Sequence, residues 1–139
     1  MAYDDAQLAA VLNDTRRIAI VGLSSRTKSP SHEVAVYLMN NGYQVIPVNP
    51  VYPEILGTRS YQSVSDIPGG VDLVVVFRRA EDIPDVARDV IEASPGYLWL
   101  QLGIRNDEAA AEVESRGVKV YQDICIKQTH QRLANANIL

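Results

Sequence analysis

A chain of 139 residues with 47% apolar and 22% charged side chains has the composition of one globular domain over residues 1–139, large enough for a core without staples, which excludes disordered and fibrous classes. A net charge of −4 argues against bulk electrostatic binding to nucleic acid or anionic lipid, so a basic site must be local. One cysteine permits no internal disulfide, the N-terminus MAYDDA lacks the regions of a signal peptide, and no apolar run approaches the roughly 20 residues that cross a bilayer; a cytoplasmic protein is expected.

Residues 4–13 carry Leu8, Val11 and Leu12 at helical intervals behind Asp4 and Asp5, which predicts a leading helix within residues 1–15. The stretch that follows, residues 17–50, organises the chain. Residues 18–21 (IAIV) form a β-branched apolar run that stops at Gly22, as a strand buried on both faces does. Val34, Val36, Tyr37 and Leu38 then fall at helical spacing, and Asn40-Asn41-Gly42 supplies a stop. Residues 43–48 return to a strand pattern that Asn49-Pro50 closes. Strand, glycine turn, helix and strand make a parallel crossover unit, with the turn at the carboxyl end of the first strand.

Residues 51–70 read mostly as loop, with a short strand or turn near Ser60-Tyr61 and a helical turn at residues 65–67. Residues 71–77 (VDLVVVF) are a second buried strand, followed by Arg78-Arg79. Residues 80–93 read as a helix with Ile83, Val86, Ala87, Val90 and Ile91 on one stripe and Pro84 in its first turn. Residues 97–102 (YLWLQL) form a strand ending at Gly103, residues 107–116 a helix capped by Asn106 or Asp107, and residues 118–121 the last strand. A short helix over residues 125–133 and a loosely held tail, 134–139, complete the chain. This alternation predicts an α/β fold, a doubly wound parallel sheet of five or six strands in a single domain.

Ligands of open α/β sheets bind outside the carboxyl ends of the strands, where the strand order reverses. Gly22, Ser24, Ser25, Arg26, Thr27 and Lys28 follow the first strand, Asn49 and Pro50 the second, Arg78 and Arg79 the third, and Gln101, Gly103 and Arg105 the fourth. Five cations therefore share one edge of an acidic protein, which points to an anionic ligand, with phosphate matching helix N-terminal amides, hydroxyls and Arg or Lys together. The alternative is that these side chains only solvate loops. The dinucleotide pattern G-x-G-x-x-G is missing beyond Gly22, and no acid stands after the second strand until Glu54, which disfavours NAD. The Walker pattern, a G-x-S-x-G elbow and a metal-ligand cluster are missing too.

The segments IVGLSSRTKSPSHEVAVYLMNNGYQVIPVNP, EILG at residues 54–57, VDLVVVFR, LWLQLGIRN and DICIKQTH together resemble the small stand-alone CoA-binding proteins of bacteria, related to the CoA-binding domain of the succinyl-CoA synthetase alpha subunit. The resemblance covers residues 16–133. It implies a Rossmann-like domain that binds coenzyme A or an acyl-CoA, with the diphosphate near the glycine turn and the adenosine near the loop after the second strand. By position, it implies phosphate contacts from Gly22, Ser24, Arg26 and Lys28, an adenosine border from Val48, Asn49 and Pro50, and a cleft lined by Phe77 and Arg78. The loop after the first strand lacks the extra glycines of the synthetase domain, which shifts the expected binding towards hydroxyls and cations.

No catalytic constellation is expected. The synthetase reaction uses a phosphohistidine in a further domain, and neither His32, read as a capping or solvent-facing residue, nor His130, read as structural or interfacial, lies in a glycine-rich loop. Cys125 reads as a small buried hydrophobe, with a mixed disulfide to the CoA thiol as its chemical alternative. Tyr52, Tyr61 and Tyr97 are candidates to stack on adenine, whereas Trp99 reads as core. The expected function is CoA binding, as a carrier, a sensor or a partner of an acyl-CoA enzyme; the alternatives are an NAD(P)-dependent oxidoreductase and a regulatory Rossmann-like domain with an empty site.

Overall fold

Parallel pairing of β1 (Arg17–Val21), β2 (Gln44–Val48), β5 (Leu73–Val76), β6 (Tyr97–Leu100) and β7 (Lys119–Tyr121) builds the central sheet of the computed structural model, which describes residues 3–139; β3 (Glu54–Ile55) and β4 (Thr58–Arg59) stand apart from it. The strand order is β2-β1-β5-β6-β7. Five α-helices, α1 (Asp5–Asp14), α2 (Pro30–Asn40), α3 (Ile83–Ala93), α4 (Asp107–Glu114) and α5 (Ile126–Asn135), cover it. Along each strand the side chains alternate between two buried layers. Ile18, Ile20, Leu73, Val75 and Trp99 join Leu8, Leu12, Val34, Leu38, Ile126 and Leu133 of α1, α2 and α5. Ala19, Val21, Val74, Val76, Leu98 and Leu100 join Val86, Val90, Ala109 and Val113 of α3 and α4. Apolar residues at every position are what a sheet covered on both faces requires.

The chain runs from β1 outward to β2, then passes back across β1 to β5 and continues through β6 to β7. The order therefore reverses between β1 and β5, and the crevice above their carboxyl ends is the switch point. Pro47 is accommodated because β2 is the outer strand of the sheet, and Tyr61 pairs along its far side through Tyr61 N to Pro47 O (3.1 Å) and Asn49 N to Tyr61 O (2.9 Å).

Two expectations need correction. The stretch 51–70 holds a small antiparallel hairpin, β3 with β4, besides the bridge at Tyr61 and a 3-10 turn at Val64–Asp66. The tail is not loose: Ala134 and Asn135 extend α5, Ile138 N donates to Leu133 O (2.9 Å), and half-buried Leu139 packs on the core beside α1 and α2. The leading helix begins at Asp5, with the Asp4 carboxylate accepting from Ala6 N at 2.7 Å; residues 1 and 2 of the predicted span lie outside the described residues. Among the described residues no helix is long and apolar enough to cross a membrane.

Candidate functional site

Gly22 ends β1 with φ +84°, a left-handed conformation in which a side chain is strained. Its N–H donates to Val48 O at 3.0 Å, and Phe77 N donates to Val21 O at 2.8 Å, so the loops after β1, β2 and β5 are drawn together here. A Cβ at Gly22 would stand 2.4 Å from the Phe77 carbonyl oxygen and 3.1 Å from Arg78 Cδ. This one glycine is thus required by the approach of two loops.

Beyond the buried Leu23, the loop winds into a set of serine hydroxyls at the N-terminus of α2. Ser24 N donates to Ser31 Oγ (2.9 Å), Arg26 N to Ser24 Oγ (3.1 Å) and His32 N to Ser29 Oγ (3.2 Å), while Ser29 and Ser31 hydroxyls lie 3.3 Å apart. Ser29 is the N-cap and Pro30 the first helical residue. Ser25, Arg26 and Lys28 project into solvent, and neither cation has an acidic partner within 4 Å among the described residues. These amides are taken up by the serine oxygens, which leaves the serine hydroxyls and the unpaired cations at the helix N-terminus as the groups that suit a phosphate.

Asn49 staples the second loop to the first: its Nδ2 donates to Leu23 O (3.0 Å) and its Oδ1 accepts from Val51 N (2.8 Å). Buried Val48 and exposed Pro50 line a crevice of 440 Å³ together with Val21, Arg78, Asp82 and Val86. The far wall comes from α3. There Asp89 accepts from Val64 N (2.6 Å), Ser65 N (3.1 Å) and Ser65 Oγ (2.7 Å), and Arg88 pairs with Asp85.

The five cations of the edge are not equivalent. Arg79 Nε donates to Asp82 Oδ2 at 3.2 Å and its NH1 lies 3.5 Å from Glu81, while Arg105 Nε lies 2.9 Å from Asp107. Arg78 stands 3.7 Å from the same Asp82 oxygen. The hydrogen bond from Arg79 is the main cause that holds the Asp82 carboxyl below its ordinary range. Arg26 and Lys28 are the cations without such partners. Acids supplied by the next helices account for the difference, a pairing that sequence position alone does not display.

Gln101 is 4% exposed and committed to the fold, its Oε1 accepting from Ile126 N (2.9 Å) and its Nε2 donating to Cys125 Sγ (3.7 Å). Cys125 is half-buried at the N-cap of α5, more open than a core hydrophobe. Phe77 is half-buried against the α1, α2 and α5 layer. Trp99 is core, with Nε1 donating to Ile124 O (2.8 Å), and Tyr97 donates to Asp14 (2.9 Å), which turns it towards the opposite edge of the sheet. Tyr61 instead carries the Arg59 guanidinium 5.0 Å above its ring, and Tyr52 is exposed beside it. His32 is buried in the first turn of α2, held by the Ser29 cap through its own N–H. His130 is 8% exposed, its Nδ1 lies 2.6 Å from Tyr37 Oη, and burial pushes its pKa below the ordinary value. The hydroxyls of Ser29 and Ser31 and the carboxylate of Asp82 join the site only in the folded chain; the Ser-Pro step before a helix is the sequence signal for the first of these.

A parallel sheet with a glycine turn and a helix N-terminus at its switch point defines a Rossmann-like nucleotide-binding architecture. Residues 16–131 match the family model described as CoA binding domain, and the chain belongs to that family. Among its relatives, the protein named "Uncharacterized protein YneT" of Bacillus subtilis is 40% identical over 125 residues, covering 90% of this chain and 93% of that protein. Acetate–CoA ligase [ADP-forming] II of Archaeoglobus fulgidus is 28% identical over 109 residues, which is 76% of this chain but 16% of the ligase. Among solved structures, a hypothetical protein from Pyrococcus horikoshii aligns with a TM-score of 0.92 at 30% identity, covering 96% of this chain and 94% of that one.

Proposed function

We propose that this protein binds coenzyme A or an acyl-CoA across the carboxyl ends of β1, β2 and β5, and that it serves as a carrier, sensor or partner of an acyl-CoA enzyme without chemistry of its own. The observation that carries the reading is the loop Gly22–Lys28: two cations without acidic partners among the described residues stand beside serine hydroxyls at the N-terminus of α2, in a chain of the CoA-binding family. The diphosphate lies over Gly22, Ser24 and the first turn of α2, where Arg26 and Lys28 close on it. The adenosine enters the crevice lined by Val48 and Pro50, with Asn49 at its border, and the pantetheine arm passes Phe77 towards the carboxyl end of β6.

CoA asks for cations in more than one loop and for no carboxylate at the end of the second strand, and Asn49 fills that place with both its amide atoms engaged in the fold. His32 and His130 are held by a helix cap and a helix interface, which supports a binding role over a transfer role. Acetate–CoA ligases carry a matching segment within much longer chains, which supports a module that works with other catalytic parts.

Calorimetric titration with CoA, dephospho-CoA, NAD and NADP tests the reading. CoA is expected to bind most tightly, and Arg26→Ala or Lys28→Ala to weaken it roughly tenfold each, the worth of one charge-assisted hydrogen bond. Tighter binding of NAD or NADP, or heat from none of the four, sinks the proposal.

A further inference from the structure

Arg78 leaves β5 at the switch point, and its stem lies across Gly22, the turn over which the phosphates are placed. The guanidinium is nevertheless turned towards α3, where it stands 3.7 Å from Asp82 Oδ2. That oxygen already accepts the 3.2 Å hydrogen bond from Arg79, so Arg78 holds only the looser part of a shared carboxylate. Asp82 occupies the N-cap position of α3, where aspartate ordinarily accepts from an amide of the first turn, yet it makes no capping bond. Its carboxylate serves the two arginines instead. Of the other acids of the crevice wall, Asp85 pairs with Arg88 and Asp89 holds the Val64–Asp66 turn, and neither these nor Glu92 pairs with Arg78 within 4 Å among the described residues.

We infer that Asp82 is an internal competitor of the ligand: it holds the place of a phosphate on Arg78, and binding proceeds by exchange of that carboxylate for a phosphate oxygen. The inference rests on the CoA reading and adds a residue that sets its affinity. Arg78 swings within the crevice it already lines, Asp82 remains on Arg79, and the carboxylate is left with one cation where it had two. A stem anchored over Gly22 keeps that movement short.

Asp82→Asn tests it, since asparagine keeps the size and the N-cap preference of the residue it replaces. Calorimetric titration with CoA is expected to show about two- to threefold tighter binding by Asp82→Asn than by the unaltered protein, the worth of a partly exposed ion pair at 3.7 Å. In the Arg78→Ala background the same change is expected to leave affinity unchanged, because the exchange needs Arg78. Equal affinity of the unaltered protein and Asp82→Asn overturns the competition while leaving CoA binding in place. So does an equal gain with and without Arg78, which assigns the effect to a loss of general negative charge. CoA binding by neither protein overturns the CoA reading, and the competition with it.

Discussion

Gly22 is where the geometry is least forgiving of a side chain. A methyl group there meets the Phe77 carbonyl at 2.4 Å and demands φ +84° of an alanine, so both the backbone conformation and the neighbouring strand end resist it. Gly22→Ala is expected to destabilise the fold by about 2–4 kcal/mol, as the sum of a left-handed residue and a backbone displacement. Urea unfolding reads this directly. An unchanged midpoint would mean that the loops after β1 and β5 separate at little cost, and the switch-point geometry would lose its main constraint. Residue-scale features were open to sequence reading to different degrees. Gly22 was legible because a glycine that halts a buried apolar run marks a sharp turn by itself. The unequal state of the five cations was not, because Asp82 and Asp107 reach Arg79 and Arg105 through local folding that the order of strand ends does not convey.

At the level of elements, legibility followed burial. β1, β5 and β6 lie inside the sheet and are apolar on both faces, so IAIV, LVVV and YLWL mark themselves. The hairpin β3–β4 has two residues in each strand and presents no apolar period, and Pro53 and Gly57 beside it read as loop. The strand order had no signature either, because the return from β2 to β5 uses a hairpin and a 3-10 turn where a helix is more usual. That return is fastened by Asp89 of α3, which accepts three hydrogen bonds from Val64 and Ser65 and so ties the crossover to the crevice wall. Asp89→Ala removes the acceptor of the part-buried Val64 N–H and leaves the exposed Ser65 N–H to water, and its expected cost is about 1–2 kcal/mol, with Asp89→Asn costing less because one acceptor remains. Chemical denaturation of the three proteins gives the order. Asp89→Ala as stable as the unaltered protein would show that the turn is held by Val64 and Ile67 in the core instead of by the carboxylate.

The whole molecule separates two tasks between its two ends. At the amino ends of the strands, Asp72 accepts from Arg16 N (3.0 Å) and Arg17 N (2.9 Å) and ties β1 to the start of β5, a purely architectural arrangement. At the carboxyl ends stand the glycine turn, the serine hydroxyls and the unpaired cations, held in exposed loops whose amides exchange through local opening. A ligand that binds across the second end and not to the unfolded chain stabilises the protein by about 2.7 kcal/mol at a hundredfold excess over its Kd, on the order of 10 °C in Tm for a domain of this size. CoA is therefore expected to raise Tm by that amount, and NAD at the same concentration to leave it nearly unchanged. Hydrogen exchange localises the effect, because a ligand seated at the switch point slows the local opening of residues 22–31, 49–51 and 77–79, whereas amides near Asp72 gain only what global stability confers. Protection concentrated at the amino ends would place the ligand on the wrong side of the sheet and remove Arg26, Lys28 and Arg78 from its recognition.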